Sequence, residues 1–155
     1  DKNKLDSILY EMDDLYLKAK SRLLARQKRL PVMMITDNGD GVILDVERFD
    51  EEPFRAIFHG AIIDDEVPLL KNLNKKEWLD YANKIVGFSD LSLKLKKSLV
   101  EIGKTLPSVP QIGSAAMLGG IVASYALRKF AINEKLPSGK YKFSIEDIFN
   151  LKINQ

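Results

Sequence analysis

Pro31-Val32-Met33-Met34-Ile35-Thr36, Asp37-Asn38-Gly39-Asp40-Gly41 and the run from Val42 to Glu47 together decide the fold. The first six residues are continuously apolar and too few for a typical helix, so they read as a central strand. The next five contain Asn-Gly, the strongest short hairpin signal, and Val42 to Glu47 resumes a β-rich pattern. The second strand should therefore run antiparallel to the first. Upstream, Ser7-Ile8-Leu9-Tyr10-Glu11 suits a short buried strand that stops at Asp13-Asp14, residues able to cap a helix. Leu15, Ala19 and Leu23, with Tyr16 and Leu24 beside them, then recur at helical spacing. Lys18, Lys20, Arg22, Arg26, Lys28 and Arg29 occupy the rest of that helix and its last turn, and Pro31 ends it.

Beyond the hairpin, the acidic segment around Pro53 reads as loop. Leu69 to Val86 has helical periodicity through Leu70, Leu73, Trp78, Leu79 and Ala82. Leu91 to Leu106 repeats it through Leu91, Leu95, Leu99 and Ile102, with a late interruption at Gly103. Ile112 to Ile132 reads as a small-residue helix, apolar around most of its circumference and so expected to be largely buried. Leu136-Pro137-Ser138-Gly139 supplies a turn before the alternating Tyr141, Phe143 and Ile145 of a last strand. The expected class is α/β, a mixed sheet with flanking helices, because the hairpin forbids a purely parallel sheet.

Composition bounds the function. With 155 residues, 45% of them hydrophobic and 30% charged, the chain suits one domain with a buried core and excludes collagen, coiled-coil and disordered classes. The 24 basic and 22 acidic residues nearly cancel, and a formal charge of +2 offers no electrostatic case for nucleic acid. Their layout is uneven. Residues 13–29 carry six bases against two acids, residues 37–66 two against ten, and residues 67–155 fourteen against seven. That layout fits self-association, for instance a homodimer, or a protein partner better than a polyanion track. The absence of cysteine excludes a disulfide framework, a thiolate zinc site and a cysteine nucleophile, and makes a reducing, cytoplasmic compartment the expectation. Ile112 to Leu127 is the longest weakly polar stretch and falls short of the roughly 20 residues that span a bilayer, so no membrane partner is expected. The opening Asp1-Lys2-Asn3-Lys4 has neither Met nor a signal-peptide pattern, which leads us to expect a processed product or a fragment.

Candidate chemistry is sparse. Gly39-x-Gly41 has Leu44 where a third glycine belongs, and no G-x-x-x-x-G-K-[ST] occurs, so a complete phosphate cradle is absent. Asp37 to Gly41 faintly resembles a calcium loop, but glycines stand at its third and fifth positions. His59, the only histidine, lacks a second histidine and a nucleophile at recognisable spacing, and reads as a loop residue with a structural hydrogen bond. Met33, Met34, Trp78, Tyr125, Tyr141 and Phe143 read as core filling, and the basic helix face as solvated. Asp13 is the best chemical candidate. A carboxylate at the carboxyl end of a strand opening into a helix occupies the place where open α/β sheets hold ligands, and it could bind Mg²⁺ beside phosphates. The competing reading is that Asp13 or Asp14 merely caps the helix.

Taken together, Asp13-Asp14-Leu15-Tyr16-Leu17-Lys18, Arg29 to Asp37, Leu44 to Asp50 and Phe58-His59-Gly60 resemble the second half of a ThiF/HesA/MoeB-type adenylating domain. Pro110-Gln111-Ile112-Gly113-Ser114, the Gly119-Gly120 helix and Leu136 to Tyr141 extend the likeness over nearly the whole chain. The resemblance implies a Rossmann-like fold and ATP-dependent adenylation of the C-terminal carboxylate of a ubiquitin-like or sulfur-carrier protein. It also implies a Mg²⁺-binding aspartate, which Asp13 matches, with Lys18 at the family's later basic position; Asp14 stands where the family has Asn. The family's glycine-rich loop, ribose-binding acid and main phosphate-binding Arg and Lys would precede Asp1. The 155 residues are thus expected to form a single domain fragment lacking the N-terminal nucleotide-binding half. Alone it should be inactive and bind ATP and Mg²⁺ weakly. The alternative is a non-catalytic α/β interaction or oligomerisation module that retains the fold.

Overall fold

Near-continuous burial along the Pro31–Glu47 stretch, whose side chains go alternately to two covered faces, is what organises the domain in the computed structural model, which describes residues 5–150. Strand β2 (Pro31–Asn38) pairs antiparallel with β3 (Gly41–Arg48), in register from Pro31 against Arg48 to Asn38 against Gly41. The hairpin therefore closes on two residues, Gly39 and Asp40. Gly39 has φ 68°, the left-handed conformation that such a turn requires and glycine adopts without strain. Strand β1 (Ile8–Tyr10) lies parallel beside β2, joined to it by helix α1 (Leu15–Lys28). Strand β4 (Gly139–Ser144) runs antiparallel on the far side of β3, which completes a four-stranded mixed sheet in the order β1-β2-β3-β4.

The two faces of the sheet form separate cores. Tyr10, Val32 and Met34 pack with Leu15, Ala19 and Ala25 of α1 and with Phe49, Ile57 and Phe58. On the other face Met33, Ile35, Val42, Leu44 and Val46 pack under Val122, Ala123 and Ala126 of helix α4 (Gly113–Ala131). Helices α2 (Lys75–Val86), α3 (Leu93–Leu99) and α5 (Ile145–Asn150) complete the domain. Buried Asn38 ties the hairpin to the start of α3: its side chain accepts from the Ser92 amide at 2.6 Å and donates to the Asp90 carbonyl at 3.1 Å.

Several expectations require correction. The helix read from Leu69 begins only at Lys75, because Asn74 and Glu77 form a reciprocal cap and a 3₁₀ segment containing Pro68 occupies Asp64–Asn72. The helix read over Leu91 to Leu106 stops at Leu99, and Gly103 turns the chain at φ 84°. Ile145 starts α5 instead of extending the last strand. Tyr125 and Phe143 are surface residues and Trp78 is 36% exposed, whereas Met33 and Met34 are core. Helix α4 is not largely buried: Met117 is 74%, Ile121 64% and Tyr125 53% exposed, since the sheet covers only one of its sides.

The two adjacent glycines of α4 differ sharply in surroundings. A Cβ on Gly119 would meet Ile35 Cγ2 at 3.1 Å and Val42 Cγ1 at 3.7 Å, whereas one on Gly120 would meet nothing within 4 Å. Gly119→Val should destabilise the fold by about 1–3 kcal/mol through overpacking. Gly120→Ala should stabilise it by up to about 1 kcal/mol through helix propensity. Urea unfolding of both variants checks this; equal effects would contradict the packing described.

Candidate functional site

The carboxyl ends of β1 and β2 lie side by side because the two strands are parallel, and each delivers acidic residues to that edge. Glu11 and Asp13 follow β1, and Asp37 stands near the end of β2. The Asp14 carboxylate accepts from the Leu17 amide at 2.8 Å, so Asp14 is the N-cap of α1. Asp13 is the exposed residue before that cap, still at the strand end. Lys18 stands one turn into the helix. Burial lowers the pKa of its amine below the usual lysine value, while the charges of Asp13 and Glu11 pull it back up. Glu11 and Asp37 are both held above the usual carboxylate range, by burial first. The Asp37 and Asp13 charges add to the effect on Glu11, and that of Asp13 to the effect on Asp37. Asp37 Oδ1 is buried without a hydrogen-bond partner among the described residues.

One further turn along α1, Arg22 enters the core. Its side chain is fully buried, Nε donates to Tyr10 Oη at 2.6 Å, and Nη1 and Nη2 donate to Asp45 Oδ1 at 3.2 and 3.3 Å. Nη1 also pairs with Glu47, and the guanidinium lies 4.1 Å from the centre of the Phe58 ring. Burial alone would push Arg22 toward neutrality, but Asp45, Tyr10 and Glu47 outweigh it and hold the guanidinium charged. Asp45 is likewise pushed up by burial and pulled further down by Arg22 and His59, ending below the usual aspartate range.

His59 closes the cluster. Its amide donates to Glu47 Oε1 at 2.9 Å, Nε2 meets Asp45 Oδ1 at 3.1 Å, and Nδ1 meets Arg55 Nη2 at 2.7 Å. Arginine can only donate, so Nδ1 accepts and Nε2 carries the proton toward Asp45. Both ring nitrogens are occupied, which suits a structural histidine and leaves no free base. The segment also holds Phe58 and His59 at φ 50° and 56°, left-handed conformations that bulky residues avoid.

Asp13 and Lys18 are thus brought to one edge. Arg22, read above as part of a solvated face, is instead fully buried, as are Asp45 and Glu47. Its partners Asp45 and Glu47 were missed as well, although two acids two apart in a strand, facing a basic helix, carry the signal. Among the described residues no three His, Cys, Asp or Glu side chains gather to hold a metal, and no helix is long and apolar enough to cross a membrane. A cavity of about 370 Å³ opens beside the hairpin tip, lined by residues including Asn38, Asp40, Lys94 and Glu146, and Asp13 is not among them.

No family model and no solved structure matches the chain. It is 32% identical over 141 residues to an uncharacterized protein of Mycobacterium tuberculosis (strain CDC 1551 / Oshkosh). The alignment covers 91% of this chain and 19% of that relative, so the chain spans about a fifth of the length of the curated protein it matches.

Two predictions follow from the buried cluster. Arg22→Met leaves Asp45 and Glu47 uncompensated in the core and should cost about 3–5 kcal/mol of stability, measurable by denaturant unfolding; a loss below 1 kcal/mol would contradict the network. The second concerns Tyr10, whose phenol burial pushes from 10.0 to about 12, against the opposing pull of Arg22. The folded state then favours the neutral phenol, so its contribution to stability is complete below pH 10 and is lost as pH rises through 12. The difference between alkaline absorbance titrations of the native chain and Tyr10→Phe should have its midpoint near pH 12; a midpoint near 10 would refute the burial.

Proposed function

We propose that the chain is the second half of a ThiF/HesA/MoeB-type adenylating domain. In this reading it is part of an ATP-dependent adenylyltransferase acting on the C-terminal carboxylate of a ubiquitin-like or sulfur-carrier protein. The observation that carries the proposal is the division of labour between neighbouring aspartates: Asp14 caps α1, which leaves Asp13 at the strand end for another role. The parallel β1-α1-β2 unit supplies the setting, since ligands of open α/β sheets bind outside the carboxyl ends of their strands.

The donor set suits Mg²⁺. That ion keeps several waters and is commonly held by one or two carboxylates together with substrate phosphates, so an exposed Asp13 is a suitable ligand. When bound, the ion would neutralise charge on the ATP phosphates. Asp13 would hold it, and Lys18 would place a cation beside the same phosphates. The glycine-rich phosphate loop must come from outside these 155 residues, so this chain supplies the metal side of the site and none of the phosphate cradle.

A second reading, a non-catalytic interaction module, is favoured by the uncovered apolar side of α4. Carboxylate-dependent exchange of pyrophosphate into ATP by the longer polypeptide separates the two. Asp13→Asn should lower exchange by about two orders of magnitude with little effect on folding. Asp14→Ala should cost about 1 kcal/mol of stability and leave the exchange rate within a few fold. Exchange that survives Asp13→Asn would remove Asp13 from the site, and no exchange by the native polypeptide would favour the interaction module.

A further inference from the structure

His59 is held by two contacts that only one of its protonation states can make together. Arg55 Nη2 donates to Nδ1 at 2.7 Å, and Nε2 donates to Asp45 Oδ1 at 3.1 Å. A guanidinium has no acceptor, so the first contact exists only while Nδ1 carries a free lone pair. A proton there would set N–H against N–H and an imidazolium against a guanidinium. The acids respond in the opposite sense. Asp45 accepts from Nε2 in either state, its Oδ2 is buried without a partner among the described residues, and Glu47 Oε1 already takes the His59 amide. Proton uptake therefore strengthens the hold of the acids on the ring and abolishes that of Arg55.

What Arg55 holds in its turn is the acidic segment before it. Its Nη1 donates to Glu52 Oε2 at 2.8 Å, and the same oxygen accepts from Ser138 Oγ at 2.6 Å, just ahead of β4. Arg55 Nε is buried without a partner among the described residues, so the guanidinium is positioned by His59 and Glu52. Phe54 beside it is 95% exposed and gives the segment no apolar anchor. Arg55 is thus the side chain that links residues 50–55 to the buried cluster.

Charged groups face the ring from every element packed on it: Asp45 and Glu47 from β3, Arg22 and Arg26 from α1, and Glu52 and Arg55 from the preceding segment. Burial pushes Asp45 up, but Arg22 and His59 outweigh it, with Lys140 of β4 adding to them, and Asp45 ends below the usual aspartate range. The Ser138 hydroxyl, more than Arg55 and His59, holds Glu52 below the usual glutamate range. Both acids stay ionised in the mildly acidic range in which a histidine takes up its proton. The side chains of His59 and Arg55 are 19% and 27% exposed, so solvent reaches the pair.

We propose that His59 is a proton-operated latch: neutral, it holds Arg55 and with it residues 50–55 against the domain; protonated, it keeps Asp45 and expels Arg55, which frees that segment. The latch is closed at high pH and opens as pH falls. It uses none of Asp13, Lys18 or Asp37, so it stands or falls separately from the adenylation reading.

The chain has a single histidine, which makes the test direct. Nitrogen-15 resonances of the imidazole and of the Arg55 Nε–H group are followed by NMR on the 155-residue chain from about pH 8 to about pH 5. At the upper end Nδ1 should read as unprotonated and Nε2 as protonated. As pH falls, the Arg55 signal should shift with the same midpoint as His59, and amide exchange over residues 50–55, corrected for its intrinsic pH dependence, should speed up at least tenfold. His59→Gln offers an N–H and an acceptor oxygen but cannot titrate, and should abolish both changes. Arg55→Leu should show the fast exchange of residues 50–55 already at about pH 8. A His59 titration that leaves Arg55 unmoved, a His59 that takes up no proton over the range, or a transition that persists in His59→Gln overturns the proposal. So does slow exchange in Arg55→Leu, or loss of the β2 and β3 amide signals at the same midpoint, which would mean global unfolding.

Discussion

The burial of one arginine constrains most of this domain. Arg22 sits in the core between α1 and β3, and its charge is tolerable there only because Asp45, Glu47 and the Tyr10 hydroxyl meet it from β3 and β1. Those partners come from two strands and the Phe58-His59 segment adds a third element, so the guanidinium fixes the rotation of α1 over the sheet. With that rotation fixed, Ala19 and Leu15 face the core and Lys18, one turn before Arg22, lies half-buried near the sheet edge. Asp14 then falls at the cap and Asp13 at the end of β1. The candidate site is thus a consequence of how the helix is held.

A buried ion cluster of this kind is weak as a source of net stability, because desolvation offsets much of the attraction. Its effect is on specificity: an apolar helix face could slide or rotate over Val32 and Met34, whereas a guanidinium with fixed donors cannot. The strained Phe58-His59 segment fits the same logic. Phe58 stacks on Arg22 and the His59 amide satisfies Glu47, so the left-handed backbone is held by contacts that also complete the cluster. Among the described residues the opposite face has no such device. There α4 rests on the sheet through small residues, Ala115, Gly119, Ala123 and Ala126, and its outer side is left to solvent or to a partner.

The hairpin was legible because a six-residue apolar run, Asn-Gly and a second β-rich run leave few alternatives, and the parallel β1-α1-β2 unit followed from its punctuation at Asp13-Asp14 and Pro31. Three things were not legible. Periodicity overran the helices at Leu69 and Leu106, because it cannot see that Asn74 forms a cap or that Gly103 turns the chain. Apolar residues all around α4 suggested burial, yet how many sides of a helix are covered depends on what else the molecule supplies. Arg22 looked like one more base in a run of six, since its burial depends on Asp45 and Glu47, more than 20 residues away in the chain. At the site, the sequence left the capping role open between Asp13 and Asp14, and the structure assigns it to Asp14.

We propose that this edge of the sheet holds the metal side of a nucleotide site, with Asp13 as the ligand and Asp14, the N-cap of α1, as scaffold. Binding of Mn²⁺·ATP to the longer polypeptide, followed by the loss of the free Mn²⁺ signal in electron paramagnetic resonance, reads that claim without depending on turnover. The account predicts that Asp13→Asn releases the ion while Asp14→Ala retains it. Equal retention in both variants, or equal loss, would contradict it.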